Sequence, residues 1–437
     1  MNYGKTFFRL LLVALLGMPA IPASAEVFFQ CPGYVPGDID DVVIDGVLRF
    51  RDGELSGTFT LPNGFTNDTL PADQDVVCKH LVAGDGFVNM ADKTVDHGAG
   101  TGVGKLQYMF GFANATGTPD PQVMGNFMLK MEFPAPTITL RQGDHFYLTL
   151  SNVGMVMRPD LFDPHSVHYH GFPNASAIFD GEPMSSIAIN MGASLTYYYQ
   201  IVEPGTFLYH CHVEATEHMQ MGMLGNLYVE PAQDGDTFEY PIGSGRNFTS
   251  FAYNDGDGST GYNVDYPVQI HNFDPNFHDA SMNVQPLPFA AMEDLYPMLN
   301  GRGYPDTVNT GELANSETGN LSQKVNALIT AAPGDRILLR ISSLATTSFH
   351  TLTTSGIPML VVGKDARKLG PPNDTSQYIR TNSITIGGGE AIDVILDTLN
   401  VPPGTYFLYT GNLNHLNNNT EEYGGMLTEI VIGGGPI

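Results

Sequence analysis

Residues 204–224 read Pro204-Gly-Thr-Phe-Leu-Tyr-His-Cys-His-Val-Glu-Ala-Thr-Glu-His-Met-Gln-Met-Gly-Met-Leu224. The first half has the aromatic and β-branched content of a strand that opens on a Pro-Gly turn. A diverged copy follows later, as Pro403-Gly-Thr-Tyr-Phe-Leu-Tyr409 and then Gly425-Met-Leu427. A second pair repeats upstream of each. Pro136-Thr-Ile-Thr-Leu-Arg-Gln-Gly-Asp-His-Phe-Tyr-Leu-Thr-Leu150 matches Ala327-Leu-Ile-Thr-Ala-Ala-Pro-Gly-Asp-Arg-Ile-Leu-Leu-Arg-Ile341. Both contain short alternating strands broken by a Gly-Asp turn, Gln142-Gly-Asp144 or Pro333-Gly-Asp335. Glycine and proline are abundant and helical periodicity is scarce. The pattern predicts an all-β chain of two sandwiches. They span about 105–232 and 248–435, joined by a linker at 233–247 and preceded by an N-terminal extension at 26–104.

Chemistry gathers in two runs of the first sandwich. One is His165-Ser-Val-His168-Tyr-His170-Gly171, and the other is His210-Cys211-His212 with His218 and Met223 beyond it. Along a strand, residues two apart share a face. His168 and His170 therefore point one way, as do His210 and His212, while Cys211 points the other. His165, three residues before His168, falls on the Cys211 side. One strand then serves two metal sites, one on each face. Two imidazoles, a thiolate and a weak axial thioether are the donors of a blue-copper electron-transfer centre. His165, Cys211 and His218 supply the first three, and either Met221 or Met223 the fourth. Met155, Met157 and Met219 read as packing residues.

The rest of the chain bounds this reading. Lys5 and Arg9, the apolar run Leu10 to Leu16 and Ala23-Ser-Ala25 read as a secretory leader over 1–25, cleaved before Glu26. The apolar run is too short for a membrane anchor, and no later segment reads as a span. The expected location is secreted or periplasmic. The formal charge of −27 excludes a basic nucleic-acid surface. It suits a cationic redox partner as well as plain solubility. Of three cysteines, Cys31 and Cys78 are expected to form a disulfide in an oxidising compartment. That leaves Cys211 unpaired, for which a metal is a sufficient reason. Asn254-Asp-Gly-Asp-Gly258 reads as an acidic glycine turn rather than a calcium loop.

The first sandwich resembles a cupredoxin domain of the multicopper oxidases, the family of laccases and relatives of copper nitrite reductase. His168-Tyr-His170-Gly171, Asp180-Gly181 and Tyr209-His-Cys-His212 occur in the family's order. The second sandwich shares Met298-Leu-Asn-Gly301 and Gly425-Met426 with it. The resemblance covers roughly 105–435 and implies two cupredoxin-like Greek-key sandwiches. It implies a type 1 copper on His165, Cys211, His218 and Met223, the last preferred over Met221 by the family's arrangement. It also implies that His168, His170, His210 and His212 supply half of a type 2/type 3 copper cluster. In the family, electrons enter at type 1 copper and pass through the cysteine to the flanking histidines. A second domain there supplies four more histidines to an O2-reducing cluster.

This chain departs from that pattern in its second sandwich. With Gly171-Phe-Pro173 laid over Gly356-Ile-Pro358, His165 falls on His350, His168 on Thr353 and His170 on Ser355. With Tyr209 laid over Tyr409, His210, Cys211 and His212 fall on Thr410, Gly411 and Asn412. No cluster histidine remains, and His350 and His415 read as ordinary histidines, with His415 kept as a candidate ligand. The expected function is an exported copper oxidoreductase with one-electron entry at type 1 copper and reduction of O2 at the histidine face. Two alternatives are a nitrite-reductase-like enzyme with one type 2 copper and a non-catalytic electron carrier. The expected electron donor is a small molecule or small redox protein. A homo-oligomer, a trimer by resemblance, would cover the histidine face with Thr353, Ser355, Thr410 and Asn412 of a neighbouring subunit.

Overall fold

The computed structural model describes residues 27–32, 43–44, 47–50, 74–91, 105–172, 175–419 and 421–433. The expected leader lies outside them. The fold is all-β, and it forms two sandwiches. In the first, one sheet runs in the order Val43–Ile44, Val47–Phe50, Val76–Asn89, His145–Gly154, Ser194–Gln200, with Leu106–Asn114 also paired to Val76–Asn89. The facing sheet runs Ala135–Arg141, Leu224–Glu230, Gly205–His210, His168–Tyr169. Phe110, Phe146, Leu148, Tyr197, Tyr209 and Leu227 fill the space between them. The second sandwich packs a seven-stranded sheet centred on Arg336–Ser343 against a five-stranded sheet. Its core is aliphatic, with Ile329, Leu339, Ile341, Leu352, Val394 and Leu408 among its buried members.

One boundary expected from sequence is corrected. Val76–Asn89 belongs to the first sandwich and not to a separate extension. It pairs in parallel with His145–Gly154, from Val76 opposite His145 to Leu81 opposite Leu150. Every side chain from Val76 to Val88 is buried, as expected of a strand with sheet neighbours on both sides and both faces covered. Lys79, His80 and Asp85 interrupt its apolar reading, and each is buried with a partner. His80 Nε2 sits 2.7 Å from Ser151 Oγ. Asp85 accepts from Tyr108 Oη at 3.0 Å and from Met157 N at 2.8 Å.

Cys31 and Cys78 are bridged, with Cα atoms 5.7 Å apart and a sequence separation of 47. The bridge ties residues 27–32 to the central strand. Closing a loop of that length removes about 4 kcal/mol of chain entropy from the unfolded state. The Cys31→Ala/Cys78→Ala double variant should therefore lose about 2–4 kcal/mol in urea unfolding. An unchanged midpoint would mean that the bridge stabilises nothing.

A third apolar cluster joins the sandwiches. Phe133 and Phe273 meet at 4.5 Å between ring centroids, among Leu208, Leu224, Met298 and Leu344. This packing brings the Leu344–Thr346 turn and the Gly387-Gly-Gly389 turn of the second sandwich to the histidine face of the first. No helix of the described residues is long and apolar enough to cross a membrane.

Candidate metal centre

The strand Gly205–His210 ends where the chain turns into the short helix Ala215–Gln220. Cys211 stands at that corner with its side chain fully buried. Its Sγ lies 3.8 Å from His165 Nδ1 and 3.2 Å from His218 Nδ1. Metal bonds of about 2.0–2.3 Å hold neighbouring ligand atoms about 3.3–3.8 Å apart, so the three donors fit one ion with little movement. His165 is fixed by a two-way backbone bridge with Ile189. Burial pushes its imidazole well below the ordinary histidine range, as does the neighbouring His218. Burial would lower His218 too, but the Cys211 thiolate and Asp163 outweigh it and push it up to about 10.

Met223 is tied to both of its expected neighbours. Cys211 N donates to Met223 O at 3.1 Å, and Met223 N donates to His218 O at 2.9 Å. The carbonyl of Met221 instead accepts from Phe110 N at 2.9 Å. Both methionines are buried.

On the opposite face, His168, His170 and His210 bring one ring nitrogen each within 4.8 Å of one another. Their tautomers follow from their partners. His168 Nδ1 meets Asp180 O at 2.7 Å, His170 Nδ1 meets Gly389 O at 3.0 Å, and His210 Nδ1 meets Cys211 O at 2.8 Å. A carbonyl can only accept, so each Nδ1 carries the proton. Each neutral ring then has a lone pair on Nε2. His170 Nε2 and His210 Nε2 face each other at 2.9 Å, where two lone pairs repel unless a cation lies between them. Burial lowers the His210 pKa to about 3 and lowers that of His170, which disfavours a proton in that role. Backbone carbonyls that orient imidazoles in this way are the usual second support of metal-binding histidines. His212 packs beside the trio, with its ring 4.9 Å from His168 and 5.4 Å from His210.

The cover of this face differs from expectation in one respect. The same chain supplies part of it. A cleft of about 320 Å³ beside His170, His210 and His212 is walled by Leu344, Ala345, Thr346, Gly388 and Gly389. Gly389 was missed at the sequence level, although the run Gly387-Gly-Gly389 was there to be read. Its φ is +90°, and a Cβ there would stand 2.8 Å from His170 Cε1. Asp180-Gly181 serves similarly for His168, because a Cβ on Gly181 would strike Val167 O. Asp163, whose carboxylate is 3.7 Å from His218 Nε2, was missed because a lone acid carries no pattern.

The repeat register is corrected by one residue. His168 pairs with His210, and Thr353 pairs with Tyr409. Leu224 pairs with His210, and Leu427 with Tyr409. So His210, Cys211 and His212 correspond to Tyr409, Thr410 and Gly411, not to Thr410, Gly411 and Asn412. The extra aromatic in Tyr406-Phe407 displaces the second tyrosine. The matches of His165 to His350, His168 to Thr353 and His170 to Ser355 stand. His415 is not gathered with the histidine trio. Its ring lies 5.0 Å from His350.

Residues 114–234 and 290–426 match two family models described as multicopper oxidase. An L-ascorbate oxidase of Cucurbita pepo var. melopepo is 24% identical over 318 residues, covering 70% of this chain and 50% of the relative. The chain spans about half the length of the curated relatives it matches. Among solved structures, a blue copper oxidase from Nitrosomonas europaea superposes with a TM-score of 0.57. It is 23% identical, with 81% of this chain and 85% of that one covered. A copper nitrite reductase from the same organism superposes with a TM-score of 0.50 at 15% identity, covering 81% and 94%. These two likenesses bear on the fold.

Proposed function

We infer the function of this chain from its membership of the multicopper oxidase family. It is a copper-dependent oxidoreductase that accepts electrons one at a time at His165, Cys211, His218 and Met223. It delivers them to O2 at the face formed by His168, His170, His210 and His212. Copper supplies the one-electron redox change at both places. The observation that carries the reading is the back-to-back arrangement around Cys211. Its thiol faces one donor set, while its own carbonyl accepts from His210 Nδ1 at 2.8 Å on the other side. The path between the two sites is therefore one residue of backbone and one hydrogen bond. The Asp163 carboxylate stands 3.7 Å from the outer nitrogen of His218, and the carbonyls of Asp180 and Gly389 hold Nδ1 of His168 and His170.

The second sandwich has Thr353, Ser355, Tyr409 and Gly411 where a complete cluster would need imidazoles. Hydroxyls are poor copper donors, so the histidine face takes one or two ions rather than three. The convergence of three imidazole nitrogens in one chain also favours a second reading, a single type 2 copper of the nitrite-reductase kind. Export to a secreted or periplasmic location fits the disulfide beside a metal-committed thiol. The donor is a small molecule or a small redox protein, and a homo-oligomer, as a trimer, completes the cover of the face.

Copper counting with electron paramagnetic resonance tests this. One blue copper is expected at the Cys211 centre, plus one or two ions at the histidine face that His168→Ala releases. Three ions at that face, with the ultraviolet shoulder of a spin-coupled pair, would overturn it. Oxygen and nitrite offered separately as oxidants to the reduced protein distinguish the two acceptors.

Met223→Leu should keep the blue band and raise the reduction potential, because a weak donor to the oxidised ion is lost. Redox titration of both leucine variants checks this. A shift in Met221→Leu alone would assign the thioether to Met221.

A further inference from the structure

We propose that the second sandwich holds a copper site of its own, without a thiolate, on His350 and His415 beside Met426. Three backbone links of the first centre recur there. His350 pairs with Ile386 as His165 bridges Ile189. Met426 N donates to His415 O at 2.8 Å, as Met223 N does to His218 O at 2.9 Å. Thr410 N donates to Met426 O at 3.1 Å, as Cys211 N does to Met223 O at the same distance. The two imidazoles are 5.0 Å apart between centroids, against 5.1 Å for His165 and His218. Only the thiolate has gone, replaced by the buried hydroxyl of Thr410.

The tautomer of His350 points to a ligand. His350 Nε2 lies 3.2 Å from Asn272 Oδ1, and that amide is oriented by donating its Nδ2 to Asp294 Oδ1 and Thr347 Oγ1. The amide oxygen can only accept, so Nε2 carries the proton and Nδ1 keeps a lone pair. This Nδ1 is buried with no hydrogen-bond partner, in a residue only 1% exposed. It is the same ring atom that faces Cys211 in His165. An orphaned buried acceptor is destabilising, and a metal bond would remove that cost. A cavity of about 480 Å³ lined by Glu293, Asp294 and His415 leads to the site. Its acidic mouth concentrates cations. Imidazole donors suit copper over calcium or magnesium. With no thiolate the ion adds no blue colour.

The proposal does not depend on the oxidase reading, and metal content tests it separately. The purified full-length protein is loaded with copper, dialysed, and compared with His415→Gln and His350→Asn. Each variant is expected to hold one copper fewer per chain, with the blue absorption of the Cys211 centre unchanged. A full copper complement in His415→Gln would overturn the proposal. So would loss of zinc instead of copper. His415 is only partly buried, so its variant decides the matter even if His350→Asn fails to fold.

Discussion

Cys211→Ser is expected to remove the intense visible absorption of the copper-loaded protein while the chain still folds. The band arises from electron transfer out of a thiolate, and no other thiolate can replace this one. The chain has three cysteines, and Cys31 and Cys78 are joined to each other. A serine hydroxyl in the same pocket has partners in reach, since Ser166 N already lies 3.5 Å from Sγ and Val213 O 3.7 Å from it. The cost to stability is then about 1–3 kcal/mol, measurable by urea unfolding and too small to unfold a disulfide-linked sandwich. Donor oxidation should fall by about a hundredfold or more, equivalent to about 2.7 kcal/mol in the barrier. If the serine variant keeps its colour, the thiolate assignment is wrong and the buried Cys211 is a packing residue.

Both donor clusters were legible in the sequence because a strand has a period of two and the histidines obey it. His168, His170 and His210 converge as that alternation requires, and Cys211 turns the other way. What escaped the sequence depends on contacts between distant segments. Val76–Asn89 was read as part of an extension at 26–104, outside the internal repeat, and it carries the buried polar residues Lys79, His80 and Asp85. Only the folded sandwich shows that Ser151 and Tyr108 satisfy two of them. The one-residue slip in the repeat came from matching tyrosines, whereas the sheet aligns Tyr409 with His210 through its pairing to Leu427. Gly389 carries no chemistry of its own. Its role appears only when the joint between the sandwiches brings its carbonyl to His170.

His170→Ala separates the two halves of the proposed reaction and should have the largest effect on turnover with an oxidant present. His170 follows a different strand from the one that leads into Cys211, and its contacts are with His210 and Gly389. Removing it leaves His165, His218 and Met223 around the thiolate, so the blue band should keep its position and intensity. An electron donor should still bleach that band at the normal rate. The colour should then fail to return in air, because one of three converging imidazole donors is gone and His210 loses the partner that its lone pair faces. Loss of a supporting residue around a metal typically costs about 10–100-fold; loss of a ligand should exceed that, and oxygen consumption should fall by more than about a hundredfold. Gly389→Ala gives a graded comparison, since its added methyl would press on the His170 ring without removing a donor. It should show a smaller loss of the same kind, with reoxidation slowed and reduction unchanged. Stopped-flow absorbance at the blue band reads both phases in one trace. Normal reoxidation in His170→Ala would mean that electrons leave Cys211 by another route. The histidine face would then be a structural relic, and the electron-carrier reading would replace the oxidase.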